Sequence, residues 1–160
     1  MKWRKIPIGT LVTLFVIVIA GIIVYYATKK PEVPKREKLV FTIGEPIEIG
    51  LSGSYFGKVE LGNIGNLAAE QVTLTILVKK PSKISPRLVS TSTGSIKNIS
   101  VAQKDDTNVV INIPVLAPRE LVTANLAIEA VGRLDIMVYA KSKRTIAENV
   151  PLIIFGVEND

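Results

Sequence analysis

Short runs of alternating hydrophobic and polar residues fill most of the chain from residue 39 onward. The clearest example is residues 58–78, which predict two strands, Tyr55–Asn63 and Ala69–Val78, because period-two alternation is typical of a strand with one buried face. We expect the rest of this region to pack on these two strands. The apolar positions that should face the core on the second strand are Val72, Leu74 and Ile76.

The turn between these strands has the sequence Asn63-Ile64-Gly65-Asn66. Glycine and asparagine tolerate the positive φ angles that a tight reversal requires, so we expect Gly65 to have a positive φ. The candidate turn and core signature is therefore Asn63, Gly65, Val72, Leu74 and Ile76.

Similar but shorter patterns predict further strands on both sides of this stretch. In chain order they are a first broken strand at Leu39–Ile43 and Pro46–Gly50, then Arg87–Ser92, Ser95–Val101, Asn108–Val115, Leu121–Ala130 and Leu134–Ala140. Residues 79–86 and 103–106 are predicted to be loops, and a last strand between Ile146 and Val157 is limited by Pro151 to a sheet edge or a strand start. The spacing predicts a mainly β fold, a seven- to eight-stranded Ig-like β-sandwich over residues 39–160.

Residues 6–28 contain no charged side chain. As a helix they would span about 34 Å, enough for a hydrocarbon core of about 30 Å, and Trp3, Tyr25 and Tyr26 suit its interfacial aromatic belts. A cleaved signal peptide fits less well, because the apolar run is too long. We predict a basic tail at 1–5, a single transmembrane helix at 6–28 that contacts the lipid bilayer, and a charged, proline-containing linker at 29–38.

The net charge of +6 lies in residues 1–38, whereas residues 39–160 carry equal numbers of acidic and basic side chains. This distribution suits a membrane surface and argues against a nucleic-acid partner. The chain has no cysteine and no histidine, which removes thiolate ligands, imidazole ligands and the commonest general base. We expect no catalytic residues, no cofactor and no metal, and hence no enzyme.

The side of the membrane on which the β-domain lies is less clearly indicated. Basic residues flank the apolar segment on both sides, with a slight excess after it, which by itself favours a cytoplasmic domain. A charge-balanced β-domain behind an N-terminal anchor favours export. We predict a single-pass protein of the cell membrane with an extracytoplasmic domain.

Three polar segments are candidate functional sites. Residues 90–97 bring hydroxyls near a lysine, as in a Ser–Lys dyad, but a polar hairpin explains them better. Asp105 and Asp106 suit a solvated turn better than a metal site. Asn98 begins the sequon Asn98-Ile99-Ser100, which is either an N-glycosylation acceptor or a chance occurrence.

Two motifs carry a family resemblance. The first combines Asn63-Ile64-Gly65, Ala68-Ala69 and the strand through Val72, Leu74 and Ile76, and the second runs from Ile113 to Leu116-Ala117-Pro118-Arg119-Glu120. Both resemble CARDB-like, adhesion-type Ig-like domains of bacterial and archaeal envelope proteins. The resemblance implies a seven-stranded sandwich and specifies fold better than function. The layout of anchor and β-domain is also similar to accessory proteins of the archaeal swimming filament.

Two functions follow as hypotheses. The first is a non-catalytic, membrane-anchored envelope module that binds another protein or a surface component. The alternative is a small accessory subunit of a larger membrane or surface-filament assembly. A protein partner is expected in either case.

Overall fold

The computed structural model describes residues 18–20, 24–25, 34–50, 53–93, 98–130, 133–151 and 153. Residues 1–34 and Lys35–Asp160 form separate compact units. The predicted tail at 1–5, most of the predicted membrane helix at 6–28 and residues 29–33 of the linker at 29–38 lie outside the described residues. Residues 18–20 and 24–25 are helical, and within the described ranges no helix is long and apolar enough to cross a bilayer.

The unit from Lys35 onward is a β-sandwich. Its described strands are β1 (Leu39–Ile43), β2 (Ile47–Glu48), β3 (Ser54–Asn63), β4 (Ala69–Val78), β5 (Lys83–Thr91), β6 (Ser100–Asp105), β7 (Asn108–Leu116), β8 (Leu121–Glu129), β9 (Ile136–Lys141) and β10 (Glu148–Asn149). A six-stranded sheet has the order β10-β1-β3-β8-β5, with β2 also paired to β3, and a four-stranded sheet has the order β6-β7-β4-β9. All neighbours are antiparallel except β1 and β10.

The two strands predicted from residues 58–78 are both present, and β4 has the predicted bounds. They do not pair with each other, however. β3 pairs with β1 and β8 in the six-stranded sheet, whereas β4 pairs with β7 and β9 in the four-stranded sheet. The turn at 63–66 therefore carries the chain from one sheet to the other rather than reversing it within one sheet.

The core lies between the sheets and contains the inward residues of both. Val59 and Leu61 of β3 and Val72, Leu74 and Ile76 of β4 are all buried in it. Alternation along each strand places polar neighbours on the outer faces, as expected for antiparallel sheets with one packed side. Because both sheets contribute to one core, the outer faces are the broad surfaces left for other interactions.

The largest differences from the predicted strand bounds are at β5 and β6, whereas β2 and β9 differ by one or two residues at each end. β5 begins at Lys83, inside the predicted loop at 79–86, and tolerates Pro86 because it is an edge strand with a register shift at that proline. β6 is Ser100–Asp105 rather than Ser95–Val101, and the turn after it is at residues 106–107 rather than 103–106.

The predicted last strand between Ile146 and Val157 is reduced to β10 in the described residues. β10 pairs in parallel with β1, and the Val150 N–H donates to Phe41 O at 2.8 Å. Pro151 has no N–H to continue the ladder, so the strand ends there. Beyond it, Ile153 lies on the outer face of the six-stranded sheet, where a Cβ added at Gly62 would be 3.0 Å from Ile153 Cγ2.

The strand order agrees with that of an Ig domain in one sheet only. The order β1-β3-β8-β5 has the same succession as the A-B-E-D sheet of an Ig domain. The other sheet departs from the C-F-G order, because the hairpin β6–β7 lies between β5 and β8 in the chain and pairs with β4. The described strands therefore show a two-sheet β-sandwich.

Candidate functional site

Asn63, at the end of β3, is fully buried, and its side chain uses both of its donors and both of its acceptor lone pairs. Its Nδ2 donates to Leu67 O at 2.8 Å and to Leu116 O at 3.0 Å. Its Oδ1 accepts from Gly65 N at 3.0 Å and from Lys38 N at 3.3 Å. These bonds join β3, the turn after it, the end of β7 and the segment before β1. The role of Asn63 is therefore structural.

Residues 36–38, which we call the strap, run along this turn. The Arg36 N–H donates to Asn66 Oδ1 at 2.8 Å, and the Asn66 and Ile64 N–H groups donate back to Arg36 O and Lys38 O. The Ser142 hydroxyl donates to Glu37 Oε1 at 2.9 Å. The strap was assigned to the linker at 29–38, yet it is hydrogen-bonded along the sandwich. It fixes the point at which the chain leaves the domain.

The prediction that Gly65 has a positive φ is wrong. The described glycines with a positive φ are Gly50 and Gly53. Glycine is required at position 65 for space, because an added Cβ would contact Arg36 O and would lie 2.5 Å from Lys38 N. No side chain fits while the strap is in place.

Glu120 is a buried carboxylate at the end of the second resemblance motif, residues 113–120. It is 3% exposed. Its Oε1 accepts from the Thr93 hydroxyl at 2.6 Å, and its Oε2 accepts from Ala117 N at 3.1 Å. The sequence signal was the Pro118-Arg119-Glu120 turn before β8. The carboxylate closes this turn. The two donors above, a threonine hydroxyl and a backbone amide, do not form a catalytic pair of base and nucleophile with it.

The described residues of the other candidate segments do not form a reactive centre. The Thr107 hydroxyl and backbone N–H, each 2.7 Å from Asp105 Oδ1, hold the pKa of that carboxyl below its ordinary value. Asp105 thus closes a turn in its ionised form. No group of three metal-ligating side chains occurs among the described residues. Residues 94–97, with the lysine of the proposed dyad, lie outside them.

An open groove of about 430 Å³ lies beside the start of β5 and the end of β8. Its charged lining includes Lys83, Arg87, Asp106 and Glu129, which balance in sign. Lys83 and Asp106 form an exposed ion pair at 3.4 Å. Because the charges offset one another, the groove does not indicate a charged ligand.

The outer face of the four-stranded sheet has an unusual composition. We call it the plain face, and its residues are Thr73, Thr75, Leu77, Ser100, Ala102, Asp105, Asn108, Val110, Asn112, Met137, Tyr139 and Lys141. Its two charged residues, Asp105 on β6 and Lys141 on β9, lie at opposite corners. Tyr139 and Met137 are 45% and 52% exposed. Depletion of charge together with exposed Tyr and Met is the composition found at the centre of protein interfaces.

Cross-strand register arranges these side chains in rows. One row is polar and runs Ser100, Asn112, Thr73, Lys141, and the next runs Ala102, Val110, Thr75, Tyr139. Within the polar row, Thr73 Oγ1 donates to Asn112 Oδ1 and Asn112 Nδ2 donates to Ser100 Oγ, both at 3.4 Å. Bonds of this length are weak, so these groups can exchange them for bonds to a partner.

The outer face of the six-stranded sheet is different. Lys58 and Glu60 form an ion pair at 2.6 Å there, and Ile153 packs at Gly62 near its other end. This face also has exposed apolar side chains, Ile47 and Leu88, but unlike the plain face it has an ion pair away from its corners. The two sheets of the sandwich thus present different surfaces to the surroundings, and the plain face is the candidate interface.

Asn98 precedes β6 at one corner of the plain face. Its side chain is exposed, and its φ is 65°, a left-handed conformation in which asparagine is several-fold enriched. It lies at the rim of a hollow of about 250 Å³ between β6, β7 and β4. The predicted turn and core signature does not form a site. Its residues lie in the turn after β3 and in the core, and they are Asn63, Gly65, Val72, Leu74 and Ile76.

Comparison with known proteins gave no match in two of three cases. No protein-family model matches the chain. No curated protein matches it either.

The solved structures that resemble the chain include three binding modules, each with a TM-score under 0.5. A biomass-sensing module from Clostridium thermocellum, described as resembling a family 3 carbohydrate-binding module of the cellulosome, has a TM-score of 0.46 and 12% identity, and the match covers 74% of this chain and 99% of that one. A CBM3a-L domain from the cellulosome scaffoldin of Clostridium thermocellum has a TM-score of 0.43 and 15% identity, covering 75% and 93%.

The chitin-binding domain of a chitinase from Pyrococcus furiosus has a TM-score of 0.41 and 10% identity, and the match covers 71% of this chain and 99% of that domain. Likenesses at this level do not say what this chain binds. The class of protein is fixed by its own strands: a two-sheet β-sandwich.

Proposed function

We propose that the chain is a non-catalytic binding module of the cell envelope, held at the membrane by residues 6–28, that binds another protein or a surface component through the plain face. The observation that carries the proposal is the composition of that face. Tyr139 and Met137 are exposed beside Thr75 and Val110, and the two charged residues of the face are confined to its corners. Charged side chains are ordinary on a sheet face that contacts only solvent. Their scarcity on the plain face therefore favours a face that a partner covers.

The size of the plain face sets the expected strength of binding. Strands lie about 4.8 Å apart and same-face residues about 6.8 Å apart, so four strands and three rows cover roughly 400 Å². A standard protein interface uses about 800 Å² on each partner. One copy should therefore bind weakly and reversibly, and membrane-held copies that bind together would gain strength from their effective concentration.

The kinship with Ig-like envelope domains belongs to this proposal. It is supported by the motifs at 63–76 and 113–120 and by the order β1-β3-β8-β5.

The extracytoplasmic location is also proposed. A Lys104→Cys variant would place the only thiol of the chain on an exposed bulge in β6. A membrane-impermeant maleimide should label it in intact cells, and labelling only after lysis would place the domain in the cytoplasm.

Binding through the plain face is tested with matched lysine substitutions. The full chain in mild detergent is mixed with envelope fragments from its own cells, and bound chain is measured by sedimentation. Thr75→Lys places an unpaired charge in the middle of the plain face and should weaken binding about tenfold or more, because burying it costs more than about 1.4 kcal/mol.

The control is Thr123→Lys, which makes the same change on the outer face of the six-stranded sheet opposite Glu60. It should bind as the parent chain does. Equal binding by both variants and the parent would remove the plain face from the account. Protease treatment of the fragments then distinguishes a protein partner from another surface component.

A further inference from the structure

The hollow beside Asn98 has the chemistry of a sugar-binding surface. Its polar lining comes from Gln71, Thr73, Ser100 and Asn112, and Pro114 supplies an apolar ring. None of these side chains is charged. Hydroxyl and amide groups beside an apolar surface match the alternating hydroxyls and C–H faces of a pyranose.

Asn98 itself is placed for attachment. Its side chain is exposed at the rim of this hollow, immediately before β6, and the Ser100 hydroxyl that completes the sequon is also exposed. The left-handed φ of 65° turns the chain at this point without the cost that a branched residue would have. A glycan here would need no rearrangement of the described strands.

We propose that Asn98 carries an N-linked glycan whose first sugar lies in the hollow against Thr73 and Asn112. The donor is an oligosaccharide linked to a membrane lipid through phosphate. A bond forms between Asn98 Nδ2 and C1 of the sugar as the bond from C1 to the phosphate oxygen breaks. The amide loses one proton, and the lipid phosphate leaves with the bonding electrons.

This inference rests on the extracytoplasmic location in the proposed function and not on docking at the plain face. The glycan would occupy the corner formed by Ser100, Asn112 and Thr73. The row through Thr75 and Tyr139 would stay open to a partner. Envelope binding and glycosylation can therefore fail independently, and each is measured separately.

Mass spectrometry of the full chain from the membranes of its own cells tests the attachment. Trypsin cleaves after Lys97 and Lys104, so Asn98 lies in a seven-residue peptide in which it is the only asparagine. Most of this peptide should carry a glycan mass. Ser100→Ala should abolish the added mass with Asn98 still present, and Ser100→Thr should keep it. Recovery of the parent peptide wholly unmodified would overturn the proposal.

A thiol placed in the hollow tests where the sugar lies. Asn112→Cys is made in the modified chain and in an Asn98→Gln background, and the rate of maleimide labelling is compared. The rate should be several-fold lower in the modified chain. Met137→Cys, on the far strand of the same face, is the control and should be labelled equally in both. Equal rates at position 112 would show that the sugar points away from the hollow.

Discussion

Replacement of Asn63 by alanine removes the joint between the sandwich and the strap. Four hydrogen bonds are lost, and the two carbonyl acceptors and two amide donors stay where they are. The bond to Leu116 O is buried and cannot be replaced by water, whereas the other three are partly buried. A net value of about 1 kcal/mol for each bond, with partial rescue by water, gives a loss of about 2–4 kcal/mol.

The loss can be measured by thermal or urea unfolding of a fragment that starts at Lys35, the beginning of the compact β unit. For a domain of this length 1 kcal/mol corresponds to about 4 °C, so the melting temperature should fall by roughly 8–15 °C. Asn63→Asp distinguishes the accepted from the donated hydrogen bonds of the joint. An ionised aspartate can still accept from the two amides but cannot donate to the two carbonyls.

Asn66→Ala is the matched control in the same turn, because the hydrogen bond that its side chain accepts from Arg36 N is exposed. Its cost should be under about 1 kcal/mol. If Asn63→Ala costs no more than Asn66→Ala, the joint is not what holds the turn, and the structural role of Asn63 is refuted.

The fragment from Lys35 should be soluble and all-β by far-ultraviolet circular dichroism, and a substantial helical signal would contradict the fold. Leu74→Ala should cost about 2–4 kcal/mol because Leu74 is fully buried, whereas Thr75→Ala on the plain face should cost under 1 kcal/mol; equal costs would reverse the assignment of faces. Gly65→Ala should displace the strap and speed hydrogen exchange at the Ile64 amide, and unchanged exchange would show that the strap does not need glycine. The lowered pKa of Asp105 adds stability above the ordinary aspartate pKa that is lost as pH falls, so the difference in stability between the parent and Asp105→Asn at pH 7 should close below about pH 4, and a constant difference would contradict this role.

Alternation along the chain predicted the strands better than their partners. The bounds of β4 and the buried positions Val72, Leu74 and Ile76 follow from the period of two, because that period reports which side of a strand is covered. It does not report which sheet the strand joins. The placement of β3 and β4 in different sheets depends on long-range pairing with β8 and β7, which alternation within residues 58–78 does not contain.

Predictions made from local sequence patterns were also wrong where tertiary contacts determine the backbone conformation. Gly65 was assigned a positive φ from turn statistics, but the glycine is needed because the strap passes against it. Pro86 was placed in a loop, but an edge strand with a register shift accepts it. The plain face was not predicted, although its residues are in the sequence. Charge depletion becomes visible only when β6, β7, β4 and β9 are set side by side.

Photo-crosslinking from the plain face in intact cells tests the central proposal most directly. A photoreactive phenylalanine derivative is placed at Tyr139 of the full chain, and the control places it at Thr123 on the opposite outer face. Irradiation should give a discrete crosslinked species from position 139 and none from position 123. Crosslinks of equal yield from both faces, or none from position 139, would contradict binding through the plain face.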